Sequence, residues 1–131
     1  MFCAGVGTGG MFAGVSTVLR AGALARALAL EPASSPALTA GTAGPHRVEA
    51  IATGIVPPLL AHRPFDEART VDEAEARRLA LPPARWLVLP PAPREGVLAG
   101  TSGALNVAGA LRPAREAGAG RTAVASPRTR A

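Results

Sequence analysis

Lysine, tyrosine and glutamine are absent from the 131 residues, so the 14 cationic side chains are all arginines. Without lysine, no side chain of this stretch can form a Schiff base with a carbonyl compound. Asparagine occurs once, as Asn106, and aromatic residues make up only 3% of the sequence. Since hydrophobic residues still make up 48%, a core built from this composition must rely on alanine, valine and leucine.

Cysteine is almost absent as well, because Cys3 is the single one. One cysteine excludes an internal disulfide and a cysteine-based metal site, and it fits a reducing compartment. His46 and His62 lack the spacing of metal ligands. We therefore expect a cytoplasmic protein that binds no metal.

Charged residues make up 18% of the sequence, and the net charge is +5. The arginines are scattered, and no basic stretch alternates with aromatic residues as single-strand binders require. Residues 1–19 carry no charge, but glycines interrupt them and no basic segment precedes them. Neither nucleic acid nor a membrane is an expected partner.

The N-terminal third has the pattern of strand, helix, strand. Residues 1–6 form a short apolar run, and the glycine-rich loop 7–10 follows. Apolar residues then recur at helical spacing, and we expect them to form a buried stripe: Met11, Val15, Val18 and Leu19. Gly22 can end this helix, and a second strand is predicted over 26–30. This order predicts a βαβ unit in a parallel sheet and an α/β fold.

The remainder is less regular. A loop is expected over 32–46, a strand over 67–71, and a helix from the capping-box spacing of Thr70 and Glu73 to about residue 80. Prolines make 81–94 irregular. A strand is predicted over 97–100, then a helix that Pro113 is expected to interrupt, and a strand over 122–125. Residues 126–131 are expected to be a disordered tail.

The loop Gly7-Thr8-Gly9-Gly10 between a strand and a helix is typical of a phosphate cradle. Glycines let backbone N–H groups approach an anion, and the helix N-terminus adds a positive dipole. A tight turn without a ligand is the simpler interpretation. A dinucleotide site is a third, since Gly5, Gly7 and Gly10 fit G-x-G-x-x-G and Glu31 stands where the ribose acid would lie.

Several segments, in order, resemble the cysteine synthase family. Residues 6–11 resemble its G-T-G-G-T phosphate loop, and 31–35 resemble the E-P-A-x-S that closes the next strand. Residues 44–49 and 54–57 resemble G-P-H-K-I-x and G-F-I-P, and 100–107 resemble G-x-S-x-G-x-N-V. The dinucleotide interpretation accounts only for the first of these segments, so the resemblance is favoured.

The resemblance implies a partial parallel-sheet domain of the fold-type II (tryptophan synthase β-like) pyridoxal-phosphate (PLP) enzymes, covering residues 1–125. It implies that the PLP phosphate is bound by the loop residues Gly7, Thr8, Gly9, Gly10 and Met11. Met11 replaces a second threonine and offers only its backbone N–H. Ser102 matches the serine that meets the pyridine nitrogen, although a helix N-cap is its simpler role. A neutral hydroxyl there favours β-elimination and replacement.

The implied activity is β-replacement of O-acetylserine, a small amino-acid substrate, by sulfide, giving cysteine and acetate. The resemblance is also compatible with a homodimer like that of the family. Cystathionine β-synthase or a related β-eliminating enzyme is one alternative, and a non-catalytic remnant that binds only phosphate or a partner is another. Ala50 and Ala52 stand where the family has glycines near the cofactor. The Schiff-base lysine belongs to an upstream half that we expect to be missing. No catalytic residue is therefore expected here, and the chain alone is expected to be inactive.

Overall fold

The computed structural model describes residues 1–22, 25–79, 87–88 and 98–127. Its strands are β1 (Phe2–Gly5), β2 (Ala27–Pro32), β3 (Glu67–Val71), β4 (Leu87–Val88), β5 (Leu98–Ala99) and β6 (Val124–Ala125). Its helices are α1 (Gly10–Ala21), α2 (Ala37–Ala40), α3 (Glu73–Arg78) and α4 (Thr101–Ala117), with a 3-10 helix at Pro58–Leu60. The predicted irregular segment 81–94 lies mostly outside the described residues, as do residues 128–131 of the expected tail.

The main sheet has the order β3-β2-β1-β6, and each neighbouring pair in it is parallel. β1 and β2 are joined through α1, which confirms the predicted βαβ unit and the α/β fold. A separate antiparallel pair, β4 and β5, lies outside this sheet. The sheet therefore places the carboxyl end of β1 next to the carboxyl end of β2, where ligands bind in open α/β sheets.

The two central strands are buried on both faces, as expected for a parallel sheet. Alternate side chains belong to different core clusters because neighbouring residues of a strand point to opposite faces. One cluster contains Cys3, Leu28, Leu30 and Leu105 of α4. The other contains Phe2, Ala4, Ala27, Ala29 and Phe12 of α1. The chain therefore forms three layers, with α1 and α4 on opposite sides of the sheet.

The expected buried stripe of α1 is wrong at three of its four positions, and only Leu19 packs against the core, partly buried. Met11, Val15 and Val18 are 50%, 38% and 68% exposed, whereas Phe12 and Ser16 are buried. Phe12 stacks on Phe2 at a centroid distance of 5.7 Å. Ser16 can be buried because its hydroxyl donates to the carbonyl oxygen of Phe12 at 2.6 Å. The aromatic contact and this internal hydrogen bond orient the helix.

Two helix boundaries also differ from expectation. The N-cap of α3 is Asp72, whose carboxylate accepts from the Ala74 N–H at 2.8 Å, and not Thr70. Pro113 does not interrupt α4, which continues to Ala117. Gly109, one turn before Pro113, packs so closely that a Cβ would lie 2.5 Å from Leu30 Cδ1. Tertiary packing against the sheet thus keeps this helix continuous through the proline.

Candidate functional site

A cleft lies at the carboxyl end of β1, where the N-termini of α1 and α4 meet. It measures about 460 Å³ including its open mouth. All six residues predicted from the sequence line it, namely Gly7, Thr8, Gly9, Gly10, Met11 and Ser102. The remaining lining residues are Gly5, Phe12, Ala50, Ile51, Asn106 and Ser126. The structure therefore brings together two loops that stand about 90 residues apart in the sequence.

The first turn of α1 is open to the cleft. Gly9 is its N-cap with φ 88°, and no side chain caps the helix. The Ala13 N–H already donates to the Gly9 carbonyl oxygen at 2.8 Å, which leaves the amides before it for a ligand. No acidic residue stands in the first turn of α1 or of α4. Two positive helix ends thus point to one cleft, and none of the described residues that line it carries a charge.

Ser102 lies in the first turn of α4 and is only 5% exposed. Within the described part of the chain its hydroxyl has no hydrogen-bond partner, and the N-cap of α4 is Gly100. The helix N-cap interpretation of Ser102 is therefore wrong. Because no buried polar side-chain atom of the described residues lacks a partner, this hydroxyl is accessible from the cleft, and it can donate to, or accept from, a bound molecule.

Asn106, one helical turn after Ser102, was missed as a site residue. Its Oδ1 accepts from the Gly5 N–H at 2.6 Å, and its Nδ2 donates to the Ser126 carbonyl oxygen at 2.7 Å. The side chain is 3% exposed. It therefore ties α4 to the end of β1 and to the segment after β6. The available signal was the i, i+4 spacing from Ser102, which places both side chains on one helix face.

The loop at residues 50–52 forms one wall of the cleft. Ala50 and Ala52 have φ values of 61° and 50°, in the left-handed region that favours glycine. Each costs roughly 1–2 kcal/mol there. A Cβ on Gly7 would lie 2.4 Å from the Ala50 carbonyl oxygen, so glycine is required at position 7. The family resemblance predicts glycine at positions 50 and 52, and the backbone at both positions has the left-handed conformation that glycine adopts most easily.

Glu31 does not serve as a ribose acid in this structure. It is 2% exposed, and its carboxylate accepts from the N–H groups of Leu38 and Thr39 at 2.7 and 2.9 Å. The Thr39 hydroxyl donates to it as well, at 2.6 Å. Because both oxygens are occupied by the start of α2, the dinucleotide interpretation loses the residue that distinguished it from a plain glycine loop.

Glu73 has a shifted pKa and contacts the segment that leads into the loop at residues 50–52. The Ser34 hydroxyl donates to it and is the main cause of its lowered pKa; burial opposes this shift, and the Arg47 N–H and the charge of Arg77 add to it. Glu73 therefore anchors residues 34 and 47 to α3 and has no contact with the cleft. Among the described residues, no cluster of three His, Cys, Asp or Glu could hold a metal ion.

Comparison with known proteins decides the family. Residues 1–126 match the model of the pyridoxal-phosphate dependent enzyme family. The chain belongs to this family. Its members use PLP, and the α/β sheet described above is that of the fold-type II members. The uncapped amides of α1 and the unpartnered hydroxyl of Ser102 fit an anionic group and a ring acceptor, so the residues present fit this cofactor.

The relatives are cysteine synthases and similar enzymes. Cysteine synthase of Staphylococcus aureus (strain N315) is 34% identical over 124 residues, which cover 94% of this chain and 37% of that protein. The structure of O-ureido-L-serine synthase has a TM-score of 0.80 and 34% identity, over 93% of this chain and 36% of the other. O-acetylserine dependent cystathionine β-synthase from Helicobacter pylori has a TM-score of 0.74 and 30% identity, over 93% and 37%.

The chain thus spans little more than a third of the length of these relatives. The resemblance to the cysteine synthase family is confirmed. In the described part of the chain, no helix has both the length and the apolar character needed to cross a membrane.

Proposed function

We propose that this chain supplies the phosphate-binding and ring-binding side of the PLP site in an enzyme of the cysteine synthase type. The parent reaction would be replacement of the acetate of O-acetylserine by sulfide. The observation that carries the proposal is one cleft lined both by the open N-terminus of α1 and by Ser102, whose hydroxyl has no partner among the described residues. Cystathionine β-synthase chemistry is the second candidate, supported by the similarity to the enzyme from Helicobacter pylori.

The phosphate would be held by backbone N–H groups of residues 8–12 and by the Thr8 hydroxyl. Backbone donors at a helix N-terminus bind an anion without any charged side chain. This agrees with the described lining of the cleft, which contains no arginine although the chain is rich in arginine. The loop would therefore bind phosphate through its backbone N–H groups and the dipole of α1, and its affinity would depend on the conformation of the backbone.

Ser102 would hold the pyridine nitrogen with a neutral hydroxyl. A hydroxyl leaves this nitrogen unprotonated, so the ring withdraws electrons less strongly than it would beside a carboxylate. PLP supplies the electron sink for bond breaking at the substrate when it is bound. The lysine that bonds its aldehyde must come from outside these 131 residues, because they contain none.

The first test measures binding of PLP to this chain by isothermal titration calorimetry, with pyridoxal, which lacks the phosphate, as the matched ligand. Because the chain has no lysine, the measured heat cannot come from a lysine Schiff base. We expect PLP to bind at least tenfold more tightly than pyridoxal. Equal affinity for both, or no binding of PLP, would refute the phosphate cradle.

Gly7→Ala and Gly14→Ala form a matched pair for the same assay. A methyl on Gly7 would lie 2.4 Å from the Ala50 carbonyl oxygen, whereas a methyl on Gly14 would meet nothing within 4 Å. We expect Gly7→Ala to abolish PLP binding and Gly14→Ala, in the same chain but outside the cleft, to leave it unchanged. Equal effects of the two substitutions would contradict the assignment.

The activity test separates this chain from the complete enzyme. The chain with PLP, O-acetylserine and sulfide is expected to form cysteine no faster than free PLP does. Adding the lysine-bearing remainder of a cysteine synthase, purified as a separate segment, is expected to raise the rate. Cysteine formation by the chain alone above the free-PLP rate would contradict the need for an outside lysine.

A further inference from the structure

The wall of the cleft is built from backbone that alanine adopts reluctantly. Ala50 and Ala52 are both left-handed, while Ile51 between them is 6% exposed and packs into the core. Strained residues persist only where the surrounding contacts over-determine their conformation. Loop 46–52, the segment from His46 to Ala52, must therefore contain contacts that hold Ala50 and Ala52 in place.

Ala52 is fixed at both of its backbone polar groups. Its N–H donates to the Val6 carbonyl oxygen at 2.8 Å, which ties the loop to the residue just before the phosphate loop. Its carbonyl oxygen lies 2.8 Å from Nε2 of His46. One contact thus reaches across to the residue that follows β1, and the other closes loop 46–52 on itself.

The contact made by Nδ1 of His46 shows which ring nitrogen carries the proton in the contact with the Ala52 carbonyl oxygen. The Val48 N–H donates to Nδ1 at 3.3 Å, so Nδ1 must be unprotonated. A neutral imidazole then carries its proton on Nε2, and Nε2 donates to the Ala52 carbonyl oxygen. His46 therefore uses both nitrogens within its own loop and keeps none for a ligand.

We propose that His46 is a positioning residue that sets the distance between the wall of the cleft and the phosphate loop. The Ala50 carbonyl oxygen is already so close to Gly7 that a Cβ there would lie 2.4 Å away. The wall has no room to move inward, and releasing Ala52 lets Ala50 move outward. His46 would act on cofactor binding through Ala50 and Ala52 without touching the cofactor. This inference rests on the proposed function.

The test compares His46→Leu with His46→Gln, whose side-chain amide can donate in place of Nε2. We expect His46→Leu to weaken PLP binding by about tenfold, the loss of one well-placed hydrogen bond. His46→Gln is expected to stay within about threefold of the unsubstituted chain. Equal loss in both variants, or unchanged affinity in His46→Leu, would overturn the proposal.

A second measurement needs no PLP. In the unsubstituted chain, the ¹⁵N shifts of the His46 ring are expected to show the Nε2-protonated form, and the Ala52 shifts a left-handed backbone. His46→Gln should keep the Ala52 shifts and His46→Leu should lose them. An Nδ1-protonated ring would overturn the proposal even if His46→Leu fails to fold. If PLP does not bind at all, the proposed function fails, while these shifts still decide whether His46 holds the loop.

Discussion

Replacing Asn106 by alanine removes two hydrogen bonds that join distant parts of the chain. The Gly5 N–H, which is buried, loses its acceptor at 2.6 Å, and the Ser126 carbonyl oxygen loses its donor at 2.7 Å. A buried donor left without a partner costs roughly 1–3 kcal/mol, and an ordinary lost hydrogen bond roughly 0.5–1.5 kcal/mol. We therefore expect Asn106→Ala to lower the free energy of unfolding by about 2–4 kcal/mol.

Urea unfolding followed by circular dichroism measures this loss, and the slope with urea should not change if only stability changes. Arg112→Ala is the control on the same helix. Arg112 is 84% exposed and, among the described residues, pairs with Glu116 alone, so its loss should cost no more than about 0.5 kcal/mol. PLP affinity should fall in Asn106→Ala as well, because Gly5 leads into the phosphate loop. If Asn106→Ala and Arg112→Ala unfold at the same urea concentration, the proposed role of the asparagine is refuted.

Three further predictions test separate features. Phe12→Ala should lose about 3–5 kcal/mol of stability in the same urea assay, whereas Val18→Ala, at a 68% exposed position, should lose less than about 1 kcal/mol; the reverse order would mean that α1 is turned the other way. Glu31→Gln should lower the free energy of unfolding by roughly 1–3 kcal/mol, because an amide cannot accept all three hydrogen bonds from the start of α2. NAD should give no heat of binding in calorimetry with either the unsubstituted chain or Glu31→Gln. Tight NAD binding would restore the dinucleotide interpretation. For Glu73, the Ser34 hydroxyl lowers the pKa in the folded state, so its stabilisation is present near neutral pH and is lost as the pH falls through that lowered pKa. The stability difference between the unsubstituted chain and Glu73→Gln should therefore shrink on acidification, and a difference that grows would contradict the sign.

Local signals in the sequence were sufficient for the strands of the main sheet and for the glycine loop, but not for β4, which lies in the segment predicted to be irregular. Strand β3 was predicted at 67–71 and forms there, and the order of strand, glycine loop and helix placed Gly7–Gly10 at the cleft. These features depend on neighbours within a few residues, since glycine permits the turn and an apolar run fills a buried strand. Ser102 came instead from the resemblance of residues 100–107 to the family motif, since the residue by itself indicated only a helix N-cap.

The face of α1 could not be found from periodicity. Both Met11-Val15-Val18 and Phe12-Ser16 give helical spacing, and hydrophobicity alone favours the first set. The sheet buries the second set, because Phe12 stacks on Phe2 and Ser16 satisfies its hydroxyl within the helix. Similarly, α4 continues through Pro113 because it packs against β2 and β3 at Gly109. Helix propensity does not include such tertiary contacts.

The sequence by itself determined the fold class, the glycine loop between β1 and α1, and the absence of a lysine from these residues. Only the tertiary structure decided what surrounds that loop. Asn106 reaches Gly5 across 101 positions of the sequence, and loop 46–52 reaches Val6 through Ala52. These contacts join segments that are distant along the chain, so no local pattern encodes them. They fix the width of the cleft because a buried N–H must find an acceptor and a left-handed alanine must be held.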